Sequence, residues 1–240
     1  MRLDGKVALV VGAGGGMGTA VPALFAREGA KVVVAARREA PLRELVTAIQ
    51  AHGGTAAWAT GDGTTAAGAA SIVEQTIRHY GQLDILYSNL GDFAYGDRRP
   101  HETSPSEWDY LVALNLTGHF LCARAAIPAM LGRGGSVIFV AATRAVYRGG
   151  NPGYAAGKAG LIELTRSMAR QYRTENIRVN CICPGSIGGS QGEADFTDPP
   201  ASLNRRAHPG DVAYAGLYFA SDESAWVTGQ ALDIDGGMGL

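Results

Sequence analysis

Short apolar, β-branched runs alternate with longer helical patterns along almost the whole chain, and this alternation constrains the fold more than any other feature. The strand pattern falls at Val7–Val11, Val32–Ala35, Thr55–Ala59, Leu83–Ser88, Ser136–Ala141, Ile177–Ile182 and Ala231–Ile234. Helical patterns occupy Met17–Glu28, Pro41–His52, Ala66–Tyr80, Pro105–Leu131, Gly153–Tyr172 and Asp211–Ala220. Several strands are nearly continuous apolar runs, as expected when both faces of a sheet are covered. Strict β-α-β order predicts an α/β fold: a doubly wound parallel sheet of about seven strands with helices on both faces. Right-handed crossovers then fix most of the topology. Composition shows no break, so residues 1–240 read as a single domain. One segment leaves the alternation. Ser186–His208, rich in Gly, Pro, Ser and Asp, is too long for an ordinary connection and reads as a substrate lid loop.

Charge narrows the function classes. Lys plus Arg number 21 against 22 Asp plus Glu, a net charge of −1. Nucleic-acid binding by phosphate neutralisation and docking to an anionic membrane both call for a basic chain. No stretch approaches the ~18 consecutive apolar residues of a spanning helix, and the N-terminus lacks the longer apolar region of a secretory signal. The expected partner is a small molecule. Cys122, Cys181 and Cys183 are an odd, sparse set. They argue against a disulfide framework and for a reducing, cytoplasmic location. The histidines at 52, 79, 101, 119 and 208 form no metal-spaced group, so no metal site is expected.

Glycine is the compositional outlier, 34 of 240 residues, about twice the usual ~7%. Gly12-Ala13-Gly14-Gly15-Gly16-Met17-Gly18 follows the first strand and opens the first helix. Glycines there let the backbone turn sharply and approach a pyrophosphate, which the free N–H groups and dipole of a helix N-terminus also favour.

The spacing Gly12-x-x-x-Gly16-x-Gly18 resembles the fingerprint of the short-chain dehydrogenase/reductase family, and further marks follow in order. Asp62, before Gly63, follows the third strand, where the family has an acidic residue against adenine. Ser88-Asn89-Leu90-Gly91 resembles Asn-Asn-Ala-Gly. Asn115 sits in a segment like the one that carries the catalytic Asn. Tyr154-Ala155-Ala156-Gly157-Lys158 matches Tyr-x-x-x-Lys. Cys183-Pro184-Gly185-Ser186-Ile187 resembles the segment beside the nicotinamide. Thr228-Gly229-Gln230 and Asp235-Gly236-Gly237 match the carboxy-terminal signature. The resemblance runs from Lys6 to Gly237. It implies a single-domain Rossmann fold, a nicotinamide dinucleotide and a homotetramer or homodimer. The expected contacts are two long helices, Pro105–Leu131 and Gly153–Tyr172, and the C-terminal region.

NAD-selective proteins place an acidic residue after the second strand for the ribose 2′-hydroxyl. Here that position is Ala36, followed by Arg37 and Arg38. Two cations at a helix start oppose its dipole, so a 2′-phosphate is their expected partner and NADP(H) the expected cofactor. Gly15 departs from this pattern, because many NADP users of the family carry a basic residue there.

Tyr154 and Lys158 are four apart and share a helix face. A phenol of pKa ~10 is a poor base at neutral pH. A neighbouring ammonium and an oxidised nicotinamide both favour the phenolate, so a lowered value is expected. Tyr154 then donates a proton during carbonyl reduction and takes one during oxidation. By resemblance, Lys158 holds the nicotinamide ribose and Asn115 holds a relay water.

The family's catalytic serine is absent. Alignment from Gly135 puts it at Ala142, and counting thirteen back from Tyr154 gives Ala141. Loss of one such donor costs ~2.7–4 kcal/mol. Thr143, the nearest hydroxyl, is the expected partial substitute. Leu90 in place of the family's alanine, close to the nicotinamide pocket, is expected to crowd the cofactor or reshape its site. Trp108 and Tyr110 are expected to pack on the long helix. Asp92, Asp97, Arg98 and Arg99 read as a solvated loop. Glu193, Asp195, Phe196 and Asp198 are candidates for closing over substrate, and Arg205 and Arg206 for anchoring that lid or touching a phosphate.

Three functions fit. The first is an NADP(H)-dependent oxidoreductase of alcohols and carbonyls or C=N compounds. The second is a non-catalytic nucleotide-binding sensor or interaction protein on the same fold. The third is an enzyme reducing an activated substrate that needs no serine.

Overall fold

The computed structural model describes residues 1–14, 17–93, 96–188 and 197–239. Strand β1 (Val7–Val11) is buried at all five positions. Its neighbours in sequence, β2 (Lys31–Ala36), β3 (Thr55–Thr60) and β4 (Ile85–Ser88), are joined to it through helices α1 (Met17–Arg27), α2 (Glu39–Ala51) and α3 (Ala66–Tyr80). Beyond them come β5 (Gly135–Val140), β6 (Ile177–Pro184) and β7 (Ala231–Ile234). All seven pair in parallel, in the order β3-β2-β1-β4-β5-β6-β7. The expected α/β, doubly wound Rossmann architecture is present.

Strand alternation sorts the core into two layers. On one face, Ala8, Val10, Val34, Tyr87, Ile138 and Ile182 pack with Phe25 of α1, Leu45 of α2 and Leu217 of α8 (Pro209–Ala220). On the other, Leu9, Val11, Leu86, Phe139 and Cys181 pack with Ile72 of α3 and with helices from the second half of the chain. Cys122, Cys181 and Cys183 are all free and buried in this second layer. Strand order reverses between β1 and β4, and that reversal opens a crevice at the carboxyl ends of the strands.

The expected long helix Pro105–Leu131 is revised. It is α4 (Pro105–Val112), a π-helical turn at Ala113–Thr117, and α5 (Gly118–Met130). The start is as the sequence dictates: the Ser104 hydroxyl accepts from Glu107 N, and Glu107 reciprocates at Ser104 N. Trp108 and Tyr110 do not pack inward; they are 41% and 38% exposed. Pro105–Met130 as a whole is long and apolar enough, by length and composition, to cross a membrane. In the fold α4 lies on α7 (Pro152–Tyr172) and α5 on α3, as core helices do. A short helix, α6 (Arg144–Arg148), also appears where none was expected.

Candidate active site

The first wall of the crevice is the turn after β1. Gly12 has φ +85°, and a Cβ there would sit 2.5 Å from Asn89 O. Only glycine meets both demands. Asn89 Nδ2 donates to Gly12 O at 3.3 Å, tying the end of β4 to this turn. A Cβ on Gly18 would collide with Gly12 O, so the helix starts hard against the turn. Gly15 and Gly16 lie outside the described residues. Among the described residues, a Cβ on Gly14 would meet only the Ala36 methyl, at 3.8 Å.

Beside that turn is a cleft of 560 Å³, with Gly12, Gly14, Arg37, Arg38, Asp62 and Gly63 in its walls. Asp62 accepts from Thr64 N at 2.9 Å and from Thr64 Oγ1 at 2.6 Å. These bonds, with Arg37 nearby, hold its carboxyl below the usual range. Arg37 and Arg38 are exposed where β2 passes into α2. Arg38 occupies the N-cap of α2 without a side-chain cap bond. The cleft therefore presents two cations and one ionised acid beside a glycine turn, at the ends of the neighbouring strands β2 and β3.

A second cavity, of 290 Å³, adjoins it and holds the chemical groups. Its walls include Met17, Asn89, Leu90, Gly91, Ala141, Tyr154 and Lys158. Asn151 caps α7, its side chain accepting from Gly153 N at 2.9 Å, and Pro152 stands at the first helical position. Tyr154 and Lys158 follow one turn apart, with the ammonium 5.9 Å from the phenol ring centroid. Lys158 Nζ donates to Val140 O at 2.9 Å and Leu90 O at 3.2 Å. Burial pulls the Lys158 ammonium down to about 8. Burial also pushes the Tyr154 phenol up to about 12. The expected lowering of the phenol is thus reversed in the chain alone, because desolvation outweighs the ammonium at this separation.

Asn115 lies in the π turn and is fully buried. Its Nδ2 donates to Leu111 O at 3.0 Å and Asp92 O at 3.2 Å, so its side chain fastens the segment after Gly91 to the helix. Of the two alanines at the serine position, Ala141 lines the cavity, whereas Ala142 packs with Tyr154 and Leu111. Thr143 does not supply the missing hydroxyl to this cavity. The chain turns into α6 there, Thr143 N is tied to Pro184 O at 2.9 Å, and the hydroxyl is buried without a partner among the described residues. Pro184, Gly185 and Ile187 continue from the end of β6, with Gly185 N bonded to Ile234 O and Ile187 paired with Ala207. None of the three lines either cavity.

Leu90 does not simply crowd the pocket. A Cβ on Gly118 would lie 2.8 Å from Leu90 Cδ1, and one on Gly63 3.3 Å from it, so two glycines receive the added bulk. Arg205 grips Asp211 with two bonds of 2.7 and 2.6 Å, and Asp198 bonds Arg27 and Tyr214. Both tie residues 197–208 to the helices α1 and α8. Glu193, Asp195 and Phe196 lie outside the described residues. Asp92 and Arg98 are more tied down than expected, through Tyr110 to Asp92 and Arg98 to Glu107. Sequence reasoning missed Phe93. Its ring stands edge-on to Tyr154 at 4.9 Å and is 49% exposed at the cavity mouth. An aromatic two residues after Gly91 was the available signal. It took His119 as one of five scattered histidines, whereas the ring is buried and bonded to Leu90 O beside the site.

Comparison with known proteins places these features among relatives. Residues 12–239 match the family model described as enoyl-(acyl carrier protein) reductase. An uncharacterised oxidoreductase of Thermotoga maritima is 36% identical over 99% of this chain and 98% of that protein. A 3-oxoacyl-[acyl-carrier-protein] reductase of the same organism is 35% identical over 99% of each. Among solved structures, a short-chain dehydrogenase/reductase from Serratia marcescens is 30% identical, with a TM-score of 0.88 over the full length of both chains.

Proposed function

The chain belongs to the short-chain dehydrogenase/reductase family, and on that premise we propose that it is an NADP(H)-dependent oxidoreductase that interconverts an alcohol and a carbonyl, or a related C=N compound. The residues present fit such a cofactor: a glycine cradle that any Cβ at Gly12 would fill, and two exposed arginines at the end of β2. Gly12, Gly14, Met17, Gly18, Asn89, Leu90, Gly91 and Asp62 would hold it, with Arg37 and Arg38 on a 2′-phosphate. When bound, the dinucleotide supplies or accepts the hydride.

The protein's part is proton management. Tyr154 gives its phenolic proton to the substrate oxygen in reduction and recovers it in oxidation. A buried phenol pushed up to about 12 is fully protonated at neutral pH, so the free chain is poised as the acid of a reduction. Lys158, one turn along, carries the positive charge that stabilises the phenolate left behind. The observation that carries this reading is the pairing of Tyr154 and Lys158 in one cavity that adjoins the glycine turn. With alanine at 141 and 142, one donor to the substrate oxygen is lacking, so an electrophilic carbonyl or imine is the expected substrate. Consumption of NADPH with a panel of activated ketones, aldehydes and imines tests the reading, with Tyr154→Phe as the control that must stop it.

The alanine pair also favours a second reading, a nucleotide-binding protein without turnover. Tight NADPH binding with no consumption across that panel would select it. Assembly as a homotetramer or homodimer in a reducing compartment completes the proposal. Trp226, fully exposed, and Met238, 69% exposed, supply apolar surface near the C-terminus for such contacts.

A further inference from the structure

An imidazole that the chemistry above does not use lies buried next to Lys158. His119, the second residue of α5, has no exposed surface. Its Nδ1 is 2.8 Å from Ser88 Oγ at the end of β4, and its Nε2 is 2.9 Å from Leu90 O. The ring also stands edge-on to Phe139 at 5.7 Å. A carbonyl oxygen only accepts, so Nε2 carries the proton. In the neutral ring Nδ1 is then the acceptor, and the Ser88 hydroxyl donates to it. One tautomer is thereby fixed. Burial, with the Lys158 charge adding to it, holds the imidazole well below its usual range and keeps it neutral.

The Leu90 carbonyl that His119 grips is the same one that accepts from Lys158 Nζ at 3.2 Å. Ser88, His119, Leu90 and Lys158 therefore form one hydrogen-bonded chain. It runs from β4 through α5 and the loop after β4 to α7. A carbonyl has two acceptor sites. With one taken by a rigid ring donor, the peptide at Leu90 cannot rotate without breaking a buried bond. The direction in which it offers its second site to the ammonium is thereby set.

We propose that His119 is a positioning residue: with Ser88 it fixes the Leu90 carbonyl, and through that carbonyl it holds the Lys158 ammonium where the nicotinamide half of the cofactor is to bind. This rests on the cofactor reading above. A core histidine that merely fills space is the competing account, and His119→Phe separates the two. Phenylalanine keeps the aromatic volume and the contact with Phe139 but has neither nitrogen.

The experiment compares NADPH with adenosine 2′,5′-bisphosphate, which lacks the nicotinamide half, by fluorescence titration. His119→Phe is expected to weaken NADPH by about tenfold or more, equivalent to ~1.4 kcal/mol. It should leave the fragment within about twofold. His119→Gln, which keeps an N–H donor, is expected to recover most of the loss. Unchanged NADPH affinity in His119→Phe would overturn the proposal, as would equal losses for both ligands. If NADH proves the better binder, NADH and AMP replace the pair. A second readout needs no nucleotide. Long-range proton–nitrogen spectra of the free protein should show His119 as a neutral ring protonated on Nε2 across about pH 5–8, its Nδ1 signal moving in Ser88→Ala. A ring titrating near ~6.5 would overturn the proposal even if the chain bound neither dinucleotide.

Discussion

Ala142 packs against the Tyr154 side chain, at the position from which strand alignment removes the family's serine. A hydroxyl placed there would stand next to the proton donor. Ala142→Ser is therefore expected to raise turnover of unactivated ketones, by up to about 10²–10³ if the full value of one oxyanion donor is recovered. Steady-state kinetics on paired activated and unactivated ketones reads this directly. Thr143 presents the opposite case. Its buried hydroxyl has no partner among the described residues, which costs about 1–3 kcal/mol. Thr143→Val should raise the urea midpoint by the equivalent of about 1 kcal/mol and leave turnover unchanged. A loss of turnover would return the threonine to the catalytic set. Lys158 yields a pH prediction. Burial lowers its pKa from 10.5 to about 8, so between those values the unfolded chain binds the extra proton. Folding stability then rises with pH from about 8 towards 10. At ~1.4 kcal/mol per unit, the contribution is on the order of 2 kcal/mol. Stability of the wild type minus that of Lys158→Met, measured from pH 7 to 10, should show this slope.

At the scale of elements, the proposed preference for NADP(H) rests on the β2–α2 junction. Arg37 and Arg38 follow the last strand residue, Ala36, and make no ion pair among the described residues. Charge-assisted bonds to a phosphate are worth ~1.5–3 kcal/mol. Replacing both arginines by alanine should therefore weaken NADPH by roughly 10–100-fold and leave NADH unchanged in parallel titrations. Equal effects on the two dinucleotides would make these surface arginines only. The strands were legible because β1, β4 and β5 are apolar on both faces and match only a covered sheet. Other features were not. The π turn at Ala113–Thr117 departs from the regular helical period, and the buried Asn115 within it makes bonds to Asp92 in a separate loop. Periodicity does not report such tertiary bonds. α6 is five residues without a side-chain cap, too short to leave a periodic signal. Ser88 and His119 are 31 positions apart, and only the packing of α5 on β4 and β5 makes them partners.

For the molecule as a whole, the sheet order does the assembling. The reversal between β1 and β4 brings the glycine turn, Asn89, Asn115 and the α7 pair to one edge, although they span most of the sequence. Three of the exposed large hydrophobic residues, Trp226, Leu232 and Met238, fall in sequence around β7, an edge strand. Light scattering at working concentration should give two or four times the 24.9 kDa chain mass. A monomer would contradict the proposed assembly. The central claim is that Tyr154 protonates a substrate oxygen in an NADPH-dependent reduction without the usual serine. The most direct measurement is NADPH absorbance with a panel of activated ketones, aldehydes and imines, for the wild type and Tyr154→Phe side by side. The account predicts substrate-dependent loss of absorbance in the wild type and none in Tyr154→Phe, with NADPH binding equal in both. Reduction that persists in Tyr154→Phe, or tight NADPH binding without consumption in the wild type, would contradict it.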